Sequence, residues 1–590
     1  MIKLLCAGAL ILVLTLCLCA ALAEGPSSLE LTRLMGNGIN LGNTFEACNN
    51  GKLGGNTTDN PTFYETMWGQ PVTTREMIHG MKEAGFDSIR IPVAWMTNAT
   101  HLGKGEGDYT ISQAYLDRVG EVVSWALDEG MYVVLNDHWD GGWWGMFGSE
   151  SAETRALAME AYRGMWTQIA AYFADCDEHL IFESANEELG SRFDEDSPLY
   201  CQDSVVTYLP DNERYALTLT VNQAFVDTVR AAGGHNAERF LLIAGYGTNI
   251  EQTVNSRYKM PEDTAEDRLL ISVHCYSPWS YCGEGSNAKS ATPWGIVKNF
   301  ADLEAEMKMM TKFTSQGIGV IIGEYGVLPG SDGLIKDNAV TYHRYFLDLC
   351  DYYDYCPMLW DCSGFFIRKK LAMGDEGMAA LYNEKRRANE GDIDSVKAAA
   401  KASMDAAVAA APESFREDAI AVDDDTCVAW IMWSSGDWLQ SYSVGDTYNP
   451  DSMSPGLKPT DVVIDGEGTY TVALDFTGTE SGYSNNVAFS AIGISNAEVI
   501  HPGWALHITE LKINGEPYKM VGRPYTCSDD GRCTRVNLYN EWVTNANAVA
   551  GARVLYGPNI GISPTVLNRN DPALSEVRTI EVTFVYGPKK

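Results

Sequence analysis

The chain has 590 residues, which is too long for one ordinary domain and favours two or three domains. Its residues are 45% hydrophobic and 21% charged, a composition that excludes a disordered protein. Lys and Arg number 43 against 79 Asp and Glu, which gives a net charge of −36. Such an acidic chain argues against nucleic-acid partners and anionic membrane surfaces, because both are bound by clustered basic residues.

The first 23 residues have the pattern of a secretory signal. Lys3 precedes a long apolar run, and the run ends in a small-x-small sequence at residues 21–23. We therefore predict cleavage before Glu24 and a secreted protein without membrane contact after cleavage. Left uncleaved, the apolar run is long enough to anchor the chain in a membrane.

Eight short runs of β-branched and apolar residues recur along the next part of the chain. Helical patterns separate them, such as the apolar stripe in 74–85 and the segment 114–130, which begins after a serine and ends at a glycine. This alternation predicts an α/β fold, a (β/α)8 TIM barrel over residues 24–384. The predicted strands are 36–42, 86–91, 131–136, 179–186, 239–244, 270–275, 318–324 and 356–361.

The character of the chain changes twice after the predicted barrel. Residues 385–419 are rich in Ala, Lys, Glu and Asp and predict a helical connector. Residues 420–590 show short alternating runs between Gly, Asn and Asp turns, without a helical period. This pattern predicts an all-β sandwich. The alternating runs include 469–476, 487–494, 505–513 and 577–586.

Polar and titratable residues follow six of the predicted strands. The carboxyl ends of barrel strands carry the reactive side chains in enzymes of this fold. Two carboxylates stand out, Glu187 after the fourth strand and Glu324 after the seventh, because a buried glutamate is costly unless it is paired. Two carboxyl groups, one protonated and one ionised, are the usual equipment for glycoside hydrolysis.

An ordered set of motifs between residues 36 and 360 resembles glycoside hydrolase family 5, the cellulase family of barrel enzymes. The Asn-Leu-Gly-Asn-Thr sequence at 40–44 and the Trp-Gly-Gln-Pro sequence at 68–71 look most like its subfamily 4. The resemblance implies a retaining double displacement with Glu324 as nucleophile and Glu187 as general acid/base. All eight positions typical of the family's active site are filled, by Arg90, His138, Asn186, Glu187, His274, Tyr276, Glu324 and Trp360.

The resemblance also implies roles around the nucleophile. Arg90 and Tyr276 would hold Glu324 ionised and oriented, since a nearby cation lowers the pKa of a carboxyl group. Asn186 would hydrogen-bond the sugar 2-hydroxyl at the cleavage subsite. The family uses neither a metal nor an organic cofactor, so we expect none here.

Three further residues complete the implied site. His138 and His274 would orient the substrate and the acid/base through hydrogen bonds, and Trp360 would form the stacking floor of the cleavage subsite. The family usually has proline after the acid/base, whereas this chain has Glu188. That departure adds a carboxylate able to alter the pKa of Glu187.

Several tryptophans near the predicted strand ends are candidate sugar platforms. Aromatic rings of this kind divide between sugar stacking and core packing, and the sequence does not say which ring does which. The candidates are Trp68, Trp139, Trp143, Trp144 and Trp279.

The sequence thus predicts a secreted, monomeric endo-β-1,4-glucanase whose partner is a β-glucan polysaccharide. Xyloglucanase, mannanase and xylanase activity stay open, as does a non-catalytic carbohydrate-binding or adhesion protein. Retention of both Glu187 and Glu324 argues against the non-catalytic alternative. The sandwich either binds polysaccharide, extends the cleft or braces the barrel. Its candidate binding aromatics are Trp430, Trp433, Trp438, Trp504 and Trp542.

Overall fold

The structure is a computed structural model that describes most of the chain. The predicted signal, part of the predicted connector, Trp438 and Trp542 lie outside the described residues. The described ranges are 25–48, 60–99, 109–194, 209–283, 293–386, 392–413, 415, 420, 423–436, 440–444, 452–522, 526–528, 531–541, 553–556 and 566–589.

Eight parallel strands close into a barrel, in which each strand pairs with the next along the chain and the last pairs with the first. The predicted (β/α)8 fold is therefore confirmed. The strands are β1 (Gly38–Asn40), β2 (Ser88–Ile91), β3 (Tyr132–Leu135), β4 (Leu180–Glu183), β5 (Leu241–Asn249), β6 (Leu269–Cys275), β7 (Gly319–Tyr325) and β8 (Tyr355–Leu359).

The strand ends differ from the predicted ends in two places that matter for the site. The fourth strand was predicted to run to residue 186, but β4 ends at Glu183. Asn186 and Glu187 therefore lie in the loop after the strand. The fifth strand was predicted to end at 244 and instead runs to Asn249.

Helices follow the strands along the chain. The two helices predicted in detail match closely, since α3 begins after Thr74 and α5 begins after Ser112. The helices are α1 (Ser28–Leu34), α2 (Thr62–Glu65), α3 (Arg75–Glu83), α4 (Trp95–Ala99), α5 (Gln113–Asp128), α6 (Ala152–Tyr172), α7 (Asp211–Ala231), α8 (Ile250–Val254), α9 (Trp279–Cys282), α10 (Val297–Lys308), α11 (Thr311–Thr314), α12 (Ala339–Tyr353), α13 (Glu376–Lys385), α14 (Ile393–Ala410) and α15 (Ala497–Ile500).

The amino-terminal helix closes the bottom of the barrel. Ser27 and Glu30 form a capping box at the start of α1, which satisfies the first backbone amides of this short helix. Leu31 and Met35 are fully buried and join one hydrophobic cluster with strand residues such as Val134. Apolar side chains fill that end of the barrel, so the catalytic side chains are expected at the opposite end, where the strands have their carboxyl ends.

The carboxyl-terminal region contains two antiparallel sheets, as the alternating runs predicted. A short antiparallel pair, β9 (Phe366–Ile367) and β10 (Ala372–Met373), comes between the barrel and these sheets in the sequence. The strands of the two sheets are β11 (Val428–Ser435), β12 (Ser441–Ser443), β13 (Ser452–Met453), β14 (Lys458–Thr460), β15 (Val462–Val463), β16 (Gly468–Asp475), β17 (Val487–Ile494), β18 (Trp504–Ile513), β19 (Glu516–Pro517), β20 (Thr526–Ser528), β21 (Thr534–Asn540), β22 (Arg553–Tyr556) and β23 (Thr579–Pro588). The sheet orders are β13-β12-β11-β17-β21-β20-β22, with β15 beside β11, and β14-β16-β23-β18-β19.

One hydrophobic core joins residues of both sheets, and it contains two of the candidate binding aromatics. Trp430 and Trp433 are each 1% exposed, so neither can stack on a polysaccharide. Trp504 is partly buried, and the ring of His501 stacks on it at a centroid distance of 4.2 Å. The candidate binding role of Trp430 and Trp433 is therefore wrong, because inward-facing sheet positions take the large apolar rings.

The chain divides into two compact units that do not follow simple sequence order. The first contains the closed barrel and comprises the described residues up to Cys275 together with Glu304–Gly326 and Arg344–Asp405. The second contains both antiparallel sheets and comprises Tyr276–Leu303, Val327–His343 and Ala406–Lys590. Within the described ranges, none of the helices has the length and apolar character needed to cross a membrane.

Candidate active site

Arg90 lies inside the barrel, and its guanidinium group makes four hydrogen bonds. Its Nε donates to Glu183 Oε2 at 2.7 Å, and Nη2 donates to Asn186 Oδ1 at 2.9 Å. Nη1 donates both to Asn40 Oδ1 at 3.0 Å and to Glu324 Oε1 at 2.9 Å. Arg90 thus fixes the orientation of the predicted nucleophile and of the neighbouring amide.

The Arg90 side chain is 0% exposed, so its charge needs compensation. Burial lowers the pKa of Arg90, but the charges of Glu183 and Glu324 outweigh this effect and raise it above its ordinary value. The guanidinium therefore stays cationic. It provides a permanent positive charge beside Glu324, as the resemblance implied.

Glu183 is a site residue that the sequence reasoning missed. It is the last residue of β4 and 0% exposed, and its carboxylate accepts hydrogen bonds from Asn136 Nδ2 at 3.0 Å and Ser272 Oγ at 2.7 Å as well as from Arg90. The sequence feature that could have identified Glu183 is a charged residue at the end of the apolar strand Leu-Ile-Phe-Glu.

Asn40 entered the sequence prediction only as part of a motif. Its Nδ2 donates to the carbonyl of Gly323 at 3.0 Å and so ties β1 to β7.

Glu187, the predicted acid/base, is held from two sides. His274 Nδ1 lies 2.9 Å from Glu187 Oε1, and Arg192 Nη2 lies 2.8 Å from Glu187 Oε2. Burial raises the pKa of Glu187, but the hydrogen bond and charge of His274, with the charges of Arg192 and Arg90, prevail and lower it to about 2. In this arrangement Glu187 is ionised. Arg192 was not foreseen from the sequence.

The two predicted catalytic carboxyl groups lie close together. A carboxylate oxygen of Glu187 and one of Glu324 lie within 4.8 Å of each other, with His274 Nδ1 between them and 3.6 Å from Glu324 Oε2. Gly323 permits this crowding, since a Cβ there would lie 2.9 Å from Ser272 Oγ and 3.2 Å from His274 Nε2. Only glycine at position 323 therefore lets the backbone of β7 lie this close to the side chains of β6 and place Glu324 beside them.

Glu187, His274 and Glu324 form the one cluster of acidic and histidine side chains in the described ranges whose ligand atoms are close enough together to hold a metal ion. Their carboxylates already accept from two guanidinium groups, Arg90 and Arg192. Those positive charges oppose the binding of a cation. That the protein needs no metal stays a prediction.

His138 and Trp360 form one wall of the site. Their rings are stacked at a centroid distance of 5.8 Å and an interplanar angle of 11°. Burial, with the charges of Arg90 and His274, holds the pKa of His138 well below its usual range, so the ring is neutral. Trp360 directly follows β8 and is half-buried, and its role as the stacking floor stays a prediction.

Two of the candidate sugar platforms are buried. Trp143 and Trp144 are 0% exposed, and their rings stack on each other at a centroid distance of 4.8 Å. Gly141 and Gly142 adopt φ values of +68° and +78°, which turns the chain between Trp139 and these two rings. The platform prediction for Trp143 and Trp144 is therefore wrong.

Trp68 and Trp139 remain accessible. Trp68 is 38% exposed, and its ring lies 6.3 Å from that of Trp139 at an angle of 43°. Trp139 directly follows His138 and is half-buried. A sugar-stacking role for these two rings stays a prediction.

Comparison with known families agrees with this geometry. The family model described as Cellulase (glycosyl hydrolase family 5) matches residues 48–365, more than half of the chain. The chain belongs to glycosyl hydrolase family 5. It is therefore a glycoside hydrolase, and the matched residues contain both predicted catalytic glutamates.

Individual relatives cover the same region. The chain is 33% identical over 357 residues to a xyloglucan-specific endo-β-1,4-glucanase of Bacteroides ovatus, a match that covers 57% of this chain and 65% of the relative. It is 33% identical over 359 residues to endoglucanase A of Paenibacillus barcinonensis, covering 56% and 82%. A solved GH5-4 broad-specificity endoglucanase from an uncultured bovine rumen ciliate is 32% identical with a TM-score of 0.50, covering 61% of this chain and 98% of that one.

Glu188, the departure from the family pattern, does not face the cleft. It is 0% exposed, and its carboxylate accepts from the backbone N–H of Trp139 at 2.6 Å and of Asn186 at 2.8 Å. A proline at this position would supply neither bond. In this family 5 enzyme Glu188 therefore holds the loops after β3 and β4 together.

Two buried aspartates lie beside Glu188. Burial, followed by the charge and hydrogen bond of Asp140 and the charge of Glu188, holds the pKa of Asp137 well above its usual range. Asp140 accepts from the backbone N–H of Met96 at 2.6 Å and of Thr97 at 2.7 Å, as an ionised carboxylate would. Burial also raises the pKa of Asp140, while its hydrogen bonds from Asp137, Thr97 and Met96 lower it.

Tyr276 and Trp279 belong to the second compact unit. Tyr276 directly follows β6, and its ring meets that of Trp279 edge to face at 6.0 Å. Trp279 is 65% exposed. The implied contact of Tyr276 with the nucleophile and the platform role of Trp279 both stay predictions.

Proposed function

We propose that this family 5 enzyme is a secreted endo-β-1,4-glucanase that cleaves β-glucans with retention of anomeric configuration. The observation that carries the proposal is the approach of Glu187 and Glu324, whose nearest ligand oxygens lie within 4.8 Å. Retaining enzymes hold their carboxyl groups ~5–5.5 Å apart, whereas inverting enzymes need ~6.5–9.5 Å to admit a water molecule. The names of the endoglucanase relatives support the same substrate class.

In the first step Glu324 attacks the anomeric carbon while Glu187 gives its proton to the departing glycosidic oxygen. The carbon–oxygen bond to the leaving chain breaks, and an ester bond to Glu324 forms. Arg90 donates a hydrogen bond to Glu324 Oε1 and so places its positive charge beside the attacking carboxylate. In the second step Glu187 takes a proton from water, and the hydroxide displaces Glu324 from the sugar with a second inversion.

The fixed amide of Asn186 supports the geometry of this reaction. Its Oδ1 accepts from Arg90 at 2.9 Å and its Nδ2 donates to Glu188 Oε1 at 3.4 Å, so the amide is held at both of its polar atoms. We assign it to the sugar 2-hydroxyl beside the bond that breaks. Such a contact can strengthen as the ring flattens toward the transition state.

A substitution of the nucleophile tests the catalytic assignment. We expect Glu324→Gln to abolish the release of reducing ends from carboxymethylcellulose while the circular dichroism spectrum is unchanged, since the amide is isosteric but cannot attack. Glu384→Gln, which removes an exposed carboxylate paired with Arg344, is the matched control and should retain wild-type turnover. Undiminished turnover by Glu324→Gln would refute the assignment.

A polysaccharide panel tests the substrate. Barley β-glucan, carboxymethylcellulose, xyloglucan, glucomannan and xylan are offered at equal mass, and reducing ends are measured over time. We expect the unbranched β-glucans to be cleaved, with xyloglucan as the nearest rival because one relative is named xyloglucan-specific. Cleavage of glucomannan or xylan alone would overturn the proposed specificity.

Export rests on the amino-terminal pattern of the sequence. We expect the protein recovered from the culture medium of a secreting host to begin at Glu24, as amino-terminal sequencing would show. Retention of the full-length chain in the membrane fraction would instead favour anchoring through the uncleaved apolar run.

A further inference from the structure

A buried carboxylate directly follows the predicted acid/base in the chain. Glu188 is 0% exposed, and each of its oxygens accepts a hydrogen bond from the backbone of a different loop. Oε1 accepts from the Trp139 N–H at 2.6 Å, and Oε2 accepts from the Asn186 N–H at 2.8 Å. Removing such a carboxylate would deprive two buried N–H donors of this acceptor, which is costly. The position of Asn186 therefore depends on the loop after β3.

The loop at the other end of this connection has an unusual backbone conformation. Trp139 and Asp140 have φ values of +45° and +46°, which residues with side chains rarely adopt. Such a conformation persists only where the surrounding structure holds it. Here Asp140 accepts from the backbone N–H groups of Met96 and Thr97 on α4, at 2.6 and 2.7 Å. Glu188 is thus attached to a loop that is itself held to α4.

The side-chain amide of Asn186 is oriented from both of its ends. Its Oδ1 accepts from Arg90 Nη2 at 2.9 Å, whereas its Nδ2 donates to Glu188 Oε1 over a longer distance of 3.4 Å. An amide nitrogen carries two N–H groups, so Nδ2 has a second one that can donate to a ligand. Arg90 determines which end of the amide is the oxygen. Glu188 determines where the backbone and the nitrogen of Asn186 lie.

We infer that Glu188 is a positioning residue that acts through Asn186 and sets the place where its Nδ2 meets the 2-hydroxyl of the sugar at the cleavage subsite. This inference rests on the proposed function, which assigns Asn186 to that hydroxyl. The family usually has proline after the acid/base, and the side chain of proline offers no hydrogen-bond acceptor. This chain therefore holds its asparagine through a carboxylate.

The contact with the 2-hydroxyl is sensitive to small displacements, because it strengthens as the sugar approaches the transition state. A shift of about 1 Å in a group that positions the reacting sugar can lower the rate by about a hundredfold. A sugar that lacks the 2-hydroxyl does not make this contact, so a shift of Asn186 leaves its hydrolysis unchanged. Glu188 therefore matters for a substrate with the hydroxyl and not for one without it.

Two chromogenic substrates test the inference. One is 4-nitrophenyl β-cellobioside, and the other lacks the 2-hydroxyl on the sugar that bears the nitrophenyl group. We expect the wild-type kcat/KM to be higher for the hydroxylated substrate by about tenfold or more. Glu188→Gln should reduce this preference by about fivefold or more, because its amide turns an NH2 group toward one of the two backbone N–H donors. Both substrates meet the same enzyme, so any loss of folded protein cancels in the ratio.

Two further variants isolate the contact. Asn186→Ala should remove the preference, and adding Glu188→Gln to it should change the ratio no further, as expected for two residues that act through one contact. Glu65→Gln is the matched control, since Glu65 is also 0% exposed, accepts from the backbone N–H of Thr73 at 2.8 Å and pairs with Arg118. It alters a buried carboxylate outside the predicted site and should leave the ratio unchanged.

The outcomes separate the inference from the proposed function. If Glu188→Gln lowers kcat/KM by the same factor for both substrates, its role is generally structural and the inference is overturned. A wild-type enzyme that hydrolyses both substrates with equal kcat/KM also overturns it, because the 2-hydroxyl then makes no productive contact. Either result leaves the proposed glucanase activity standing. A wild-type enzyme that cleaves no β-glucan overturns both.

Discussion

Arg90 and Glu183 form a fully buried ion pair that lies beneath the catalytic carboxylates. Both side chains are 0% exposed and their atoms meet at 2.7 Å. Such a pair contributes little to the free energy of unfolding compared with apolar residues of the same size, but removing one partner leaves an uncompensated buried charge. The pair therefore matters for the placement of Glu324 and Asn186, which share the same guanidinium.

We expect Glu183→Ala to destabilise the fold by about 3–5 kcal/mol, because Arg90 Nε would lose its carboxylate inside the barrel. Urea unfolding followed by tryptophan fluorescence measures the change. Glu384→Ala breaks the exposed pair with Arg344 and should cost less than about 1 kcal/mol. Equal losses in the two variants would contradict the argument.

Glu46 gives the fold a dependence on pH. It is 1% exposed, and burial raises its pKa from an ordinary 4.5 to about 7, although the backbone N–H of Thr44 donates to it at 2.8 Å. At a pH between these two pKa values, Glu46 is ionised in the unfolded chain but stays protonated in the folded chain. The folded state binds more protons there, so the stability from this group falls as the pH rises from about 4.5 to about 7.

We expect Glu46→Gln to flatten that part of the stability profile, since an amide does not titrate. Free energies of unfolding at pH 4.5 and pH 7.5 should differ less in the variant than in the wild type, whatever the absolute cost of the lost hydrogen bond. An unchanged difference between the two pH values would show that Glu46 is not the group responsible.

At the scale of single elements, the aromatic residues in the loops after β3 and β6 have opposite environments. The 3-10 segment Asp140–Gly148 buries Trp144, whereas α9 begins at the exposed Trp279. The number of tryptophans in the loops near a cleft therefore does not predict how many of them bind sugar. The exposed fraction of each ring decides its role.

We expect Trp144→Ala to cost about 3–5 kcal/mol of stability through the cavity it leaves. Trp279→Ala should change stability by less than about 0.5 kcal/mol and raise the KM for β-glucan by up to about tenfold, as the loss of one stacking surface would. Thermal melts and Michaelis curves on both variants separate the two effects. A stable Trp144→Ala variant with a raised KM would restore the platform prediction for that ring.

Much of the fold was predictable because strands and helices repeat with their own periods. The eight barrel strands and the carboxyl-terminal strands β16, β17, β18 and β23 appear within a few residues of the predicted runs. The helices α3 and α5 begin after Thr74 and Ser112 as predicted, although neither side chain makes a capping hydrogen bond. The loops were not predictable in this way. Trp143 and Trp144 turn inward because two glycines adopt positive φ, a backbone choice that the sequence permits but does not require.

The predicted site residues lie together because each is near the carboxyl end of a barrel strand, and these ends meet at one end of the barrel. They are Arg90 on β2, Asn186 and Glu187 after β4, His274 on β6 and Glu324 on β7. Glu183 and Arg192 were missed for different reasons. Glu183 was taken as part of an apolar strand, and its partners are distant in sequence. Arg192 lies past a loop whose path depends on tertiary packing against Tyr246 and Phe147.

At the scale of the whole molecule, the two compact units interleave along the sequence. The segments after β6 and β7 belong to the same unit as the antiparallel sheets. Trp430 and Trp433 lie in the core of these sheets, so neither ring is available to bind polysaccharide.

The net charge of −36 predicts a difference between charged and neutral substrates. Carboxymethylcellulose is a polyanion, so an acidic enzyme repels it, and added salt screens that repulsion. We expect the KM for carboxymethylcellulose to fall as NaCl rises from 10 to about 200 mM, while the KM for barley β-glucan stays constant. Parallel salt dependence for the two substrates would count against a role for overall charge.

The hydrogen bonds of Arg90 have a consequence for the order of folding. Its partners come from β1, from β4 and the loop after it, and from β7, while Arg90 itself is on β2. β1, β2 and β4 are near one another along the sheet, whereas Glu324 on β7 reaches Arg90 only when β8 has paired with β1 to close the ring. An open sheet, however native its helices, would leave the nucleophile away from Arg90 and without this orienting hydrogen bond. Catalytic competence is thus a late property of the folding chain, gained at ring closure rather than in stages.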